Sequence, residues 1–110
     1  MTRYKFAVLL GLSMLLTPAR AEDVMTYELS LKDQAFTPAE LRVPAGKPFM
    51  IKFTNGNSAA AELEAKDLQV EKLAAPNSEI VVRVKAQQPG KYLFVDEYQE
   101  DVAKGFIVVE

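Results

Sequence analysis

Glu62 and Glu64 stand two residues apart, and Asp96, Glu97, Glu100 and Asp101 crowd into one short stretch. Carboxylates are hard ligands and suit Fe, Mn, Mg or Ca better than Cu(I). On a strand, residues two apart share a face, so Glu62 and Glu64 can act on one ion together. Like charges gathered at one place repel. Either a cation offsets them, or the side chains spread into water. Gln99 can add a carbonyl oxygen, Met50 a thioether, and Tyr98 a hydroxyl that hydrogen-bonds a carboxylate.

The residue types that are missing narrow the chemistry further. The chain has no Cys and no His. That removes disulfides, iron–sulfur clusters and thiolate or imidazole metal sites. It also removes every Ser–His or Cys–His nucleophile. Paired carboxylates serve acid–base catalysis as well, but neither a nucleophile nor a cofactor motif accompanies them, so no enzyme is expected. The net charge of −2 over 110 residues argues against nucleic-acid binding, which favours basic chains.

These residues need a scaffold, and the chain separates into two parts. Arg3 and Lys5 precede an apolar run of 11 residues, Phe6 to Leu16, and then Ala19-Arg20-Ala21. The run is shorter than the ~20 residues that span a bilayer. The order predicts a signal peptide, residues 1–21, cleaved after Ala21. The expected product, residues 22–110, is exported to the periplasm and not membrane-embedded. It has 10 cationic side chains against 15 acidic ones, a net −5.

The rest reads as strands between turns. Tyr27, Leu29 and Leu31 alternate with polar residues, as do Phe49, Ile51 and Phe53, and Ile80, Val82 and Val84. Thr37-Pro38, Pro44-Ala45-Gly46, Asn55-Gly56-Asn57-Ser58 and Pro89-Gly90 mark breaks. Lys91–Val95 and Phe106–Val109 complete the set. Ala59–Leu73 has mixed character, alanine-rich like a helical turn but alternating at Glu62-Leu63-Glu64. About six or seven short strands predict an all-β sandwich. Its expected core is Phe36, Leu41, Val43, Ile51, Phe53, Ile80, Val82, Tyr92, Phe94, Ile107 and Val109, with the register at Phe49–Phe53 and Phe106–Val109 left open.

Separate motifs kept in order carry a resemblance: Phe36-Thr37-Pro38, Leu41 to Gly46, Ile51 to Asn55, Pro89 to Phe94 and Gly105 to Val109. Together they resemble a cupredoxin over nearly all of 25–110. The resemblance implies a Greek-key β-sandwich of about seven strands. It also implies blue-copper ligands (Cys, His and Met) where this chain has Asp96, Gln99 and Val102. With none of those ligands present, blue-copper electron transfer is not expected. Ala61 to Glu64, Val70-Glu71-Lys72 and Phe94 to Tyr98 resemble the small periplasmic proteins associated with iron-permease uptake systems, and the cupredoxin domain of EfeO-type iron-uptake proteins. That narrower resemblance implies an accessory protein that binds or passes an iron or copper ion. It implies an inner-membrane iron permease or a periplasmic iron-uptake protein as partner. The alternative is a metal-free module that docks on a transport partner. The expected metal ligands are Glu62, Glu64, Asp96 and Glu97, with Glu71, Gln99 and Asp101 as outer or weaker partners.

Overall fold

The computed structural model describes residues 24–110, so the expected signal peptide and its cleavage site lie outside the described residues. Among the described residues nine strands form: β1 (Met25–Lys32), β2 (Ala35–Thr37), β3 (Glu40–Val43), β4 (Phe49–Asn55), β5 (Ala61–Ala65), β6 (Val70–Ala74), β7 (Ser78–Val84), β8 (Gly90–Asp96) and β9 (Lys104–Val109). They make a four-stranded sheet, β2-β1-β4-β7, and a five-stranded sheet, β3-β9-β8-β5-β6. The β1/β4 and β3/β9 pairs are parallel and the others antiparallel.

The count exceeds the expected seven because β2 is only three residues long and because the ambiguous Ala59–Leu73 segment yields two strands. A 3-10 turn, Lys66–Leu68, joins them, with Gln69 in the left-handed region at φ 57°. Packing decides for strand here. Ala61, Leu63 and Ala65 are buried against the opposite sheet, and β6 and β8 hydrogen-bond β5 from both sides. Backbone groups so paired outweigh the weak helical preference of alanine.

Alternation sets the core. Phe49, Ile51 and Phe53 point inward from β4, and Ile107 and Val109 from β9, which settles both open registers. Ile80 and Tyr92 differ from expectation, being only partly buried and packed on the core's margin. Leu29, Leu31, Leu63 and Val84 belong to the core instead. The Phe36 ring lies edge-on to Phe94 at 4.8 Å and tilted to Phe53 at 6.1 Å, linking the two sheets. Gly105 makes room for this group: a Cβ there would collide with the Phe94 ring and lie 2.6 Å from the Ala39 carbonyl oxygen.

Turn residues hold the loop end that leads to the site. Asn55 is fully buried, and its amide nitrogen lies within hydrogen-bond distance of the carbonyls of Ala59, Ala74 and Ala75. Its amide oxygen accepts from the Asn57 N–H at 3.0 Å. One side chain thus ties β4 to both ends of the β5–β6 unit, satisfying groups that would otherwise be buried unpaired.

Candidate functional site

Because Ala61, Leu63 and Ala65 face the core, the intervening Glu62 and Glu64 face the outer side of the five-stranded sheet. The antiparallel β5/β6 register sets Glu71 directly opposite Glu64. Glu97 opens a 3-10 turn, Glu97–Gln99, immediately after β8. Glu62, Glu64, Glu71 and Glu97 each bring one carboxylate oxygen to within 4.8 Å of the others. Glu64 is only 7 % exposed, and its cationic neighbour is Lys66, with Nζ 3.5 Å from Oε1. Glu64, Glu71 and Glu97 line an open cleft together with Lys66, Gln69 and Val70.

Crowded carboxylates divide their protons unequally. Hydrogen bonds from Glu71 and Glu97, and a further one from the Tyr98 hydroxyl, hold Glu62 below its usual range. Bonding to Glu62 and then to Glu64, with partial loss of water and their negative charge, pushes Glu97 up to about 7. Glu71 is raised chiefly by its hydrogen bond to Glu62 and by that group's charge. The cluster therefore holds a proton more tightly than separate carboxylates would.

Asp96 is not part of this cluster. It pairs with Leu63 across β5 and β8 and so points to the core side of the sheet, away from Glu62 and Glu64. It is 2 % exposed. Its Oδ1 accepts from the backbone N–H of Glu62 at 3.0 Å and of Tyr98 at 3.2 Å. Its Oδ2 accepts from the Gln99 side-chain amide at 2.9 Å. Gln99 donates also to the Asp33 carbonyl at 2.9 Å, which ties this loop to the β1–β2 turn. The expected ligands Asp96 and Gln99 thus bond each other and the backbone, and Asp101 is an exposed loop residue outside the cluster. Met50 lies in the other sheet, half-buried opposite Arg83.

The blue-copper positions fail the same test. Asp96, Gln99 and the exposed Val102 supply no thiolate, imidazole or thioether, and the first two are already engaged. The residue that sequence reasoning overlooked is Lys66. Its signal was the two-residue spacing from Glu64, which on a continuing strand would share a face.

Comparison with known proteins agrees with this architecture. The family model of the cupredoxin-like domain matches residues 5–109. An uncharacterized protein of Rickettsia prowazekii (strain Madrid E) is 28% identical over 88 residues, covering 80% of this chain and 70% of that protein. Among solved structures, the metal-binding domain of the Streptococcus pneumoniae D39 Cu(I)-exporting P-type ATPase CopA, with Cu(I), superposes with a TM-score of 0.70 at 18% identity, over 81% of this chain and 89% of that one. Auracyanin from the photosynthetic bacterium Roseiflexus castenholzii gives 0.64 at 18% identity, over 79% and 97%. Auracyanin A, a blue copper protein from Chloroflexus aurantiacus, gives 0.61 at 20% identity, over 77% and 98%. Two packed sheets, the matching strand order of motifs and the family match over most of the chain lead to one conclusion: this protein belongs to the cupredoxin-like domain family.

Proposed function

We propose that this chain is an exported metal-handling accessory protein that binds an iron or copper(II) ion through Glu62, Glu64, Glu71 and Glu97, without blue-copper electron transfer. The observation that carries the reading is the convergence of four carboxylate oxygens within 4.8 Å on a sheet face. An all-oxygen set favours hard and borderline cations. A bound cation would take the place of the proton that hydrogen bonds to Glu62 and Glu64 favour on Glu97, and would offset the charge of the cluster. The similar ATPase domain is named for metal binding within a Cu(I) exporter, which supports a role beside transport. An iron permease or a periplasmic iron-uptake protein is the proposed partner.

Calorimetric titration with Fe, Mn and Cu(II) ions tests the site. The native protein should take up one ion, and Glu62→Gln with Glu97→Gln should weaken uptake at least about tenfold while leaving the fold intact. Binding must displace the proton on Glu97, raised to about 7. Affinity should therefore fall by up to about tenfold per pH unit below pH 7 and level off above it. Cu(II) should give no intense blue absorption, since no thiolate is present. No uptake at pH 8, or equal uptake by the double variant, would sink the proposal. The metal-free docking module would then be favoured, a reading supported by the way Asp96 and Gln99 satisfy each other at the copper positions. Export is checked by mass: the secreted protein should begin at Glu22, and a product starting at Met1 would refute it.

A further inference from the structure

Among the described residues, the far edge of the four-stranded sheet is open: β7 ends that sheet and pairs only with β4. Its seven residues make it longer than the other edge strands β2, β3 and β6, which have three, four and five. β6 packs beneath it in the other sheet but forms no ladder with it. Among the described residues, the strand's outer backbone edge has no main-chain partner. Proteins usually blunt such an edge by shortness, proline, a bulge or lysines. β7 contains neither proline nor lysine, and its middle residue, Val81, is 55% exposed.

The charges on this edge are arranged symmetrically about Val81. Glu79, Val81 and Arg83 face outward, opposite Thr54, Lys52 and Met50 of β4. Lys52, 3.7 Å away, and the Thr54 hydroxyl, 3.4 Å away, hold the Glu79 carboxylate in place. Arg83 has no acidic partner among the described residues, since none of their ion pairs includes it.

We propose that β7 is a self-association edge on which a second copy of this chain pairs antiparallel, with the two-fold axis through Val81. In that register Val81 meets Val81, and Glu79 of each copy faces Arg83 of the other. Residues of the same face then stay together, as strand alternation requires. The interface is isologous and closes at two copies. It joins the two four-stranded sheets into one continuous sheet and leaves the acidic cluster, which lies on the five-stranded sheet, outside the contact.

Sedimentation or light scattering of the purified protein over a range of concentrations reads the association. A monomer–dimer equilibrium is expected. Arg83→Glu sets like charges opposite each other at two symmetric places and should weaken the dimer at least about tenfold. Combining Arg83→Glu with Glu79→Arg restores opposite charges at both places and should restore the dimer. The register has its own test, because the chain has no Cys. Val81→Cys should form a disulfide-linked dimer on mild oxidation, whereas Glu79→Cys, which faces position 83 of the other copy, should not. A monomer at every concentration, an Arg83→Glu variant that dimerises as before, or equal cross-linking of the two single-cysteine variants would overturn the proposal.

Discussion

Phe53→Ala should lower the stability of the fold by about 3–5 kcal/mol. Phe53 is 0 % exposed. It sits in the middle of β4, between Leu29 of β1 and Ile80 of β7 in register. Its ring contacts Phe36, which in turn meets Phe94 of the opposite sheet. Removing it takes away buried surface and leaves a hole that rigid strands on both sides cannot fill. Domains of this size are stable by only about 5–15 kcal/mol, so the change is a large share of the total. At about 4–8 °C per kcal/mol the melting temperature should fall by more than about 10 °C. A melting temperature within a degree or two of the native value would show that Phe53 does not organise the core.

Asp96→Ala should cost about 2–4 kcal/mol, for a different reason. The side chain accepts from Glu62 N–H, Tyr98 N–H and the Gln99 amide. Truncation leaves those donors without their acceptor, and an unsatisfied buried donor costs about 1–3 kcal/mol. Partial entry of water at the exposed Tyr98 holds the sum below three times that figure. Asp96→Asn keeps an acceptor oxygen for the two backbone donors and should recover more than half of the loss. Denaturant unfolding measures both variants. Metal titration of Asp96→Asn separates this role from ligation, because a residue outside the carboxylate cluster should leave both stoichiometry and affinity within about threefold of native. If Asp96→Asn abolishes uptake while Asp96→Ala melts normally, then Asp96 is a ligand and its bonding role is misassigned.

The contrast between Asp96 and Glu71 marks where sequence reading stops. Asp96 occupies the position of a copper-ligating cysteine in the resemblance, and so it ranked among the foremost metal ligands. Glu71 ranked as an outer partner. In the structure Glu71 joins the carboxylate cluster, while Asp96 bonds the Glu62 and Tyr98 N–H groups and the Gln99 amide. Whether a residue faces a given neighbour depends on register, and register joins segments far apart in the chain. Glu64 meets Glu71 only because β5 and β6 pair as they do, and Asp96 turns inward only because it aligns with Leu63. Neither alignment leaves a local trace in composition or periodicity.

Other features are local and were legible. The alternation of Phe49, Ile51 and Phe53 against Met50 and Lys52 specifies a strand with one buried face, because successive side chains on a strand must point to opposite sides. The same rule put Glu62 and Glu64 together before any fold was known. The lack of Cys and His ruled out thiolate and imidazole ligands whatever the fold. Ala59–Leu73 could not be assigned because alanine and glutamate favour helix while the alternation favours strand, and only burial between β6 and β8 decides between them. By itself, then, the sequence determined the strand alternation, the turns and the chemical class of any ligand, while the inward face of β4 and β9 stayed open until burial fixed it. The tertiary structure alone decided which acids converge, which one is spent on backbone hydrogen bonds, and which sheet edge stays open among the described residues, since each depends on contacts between strands that are distant in the chain.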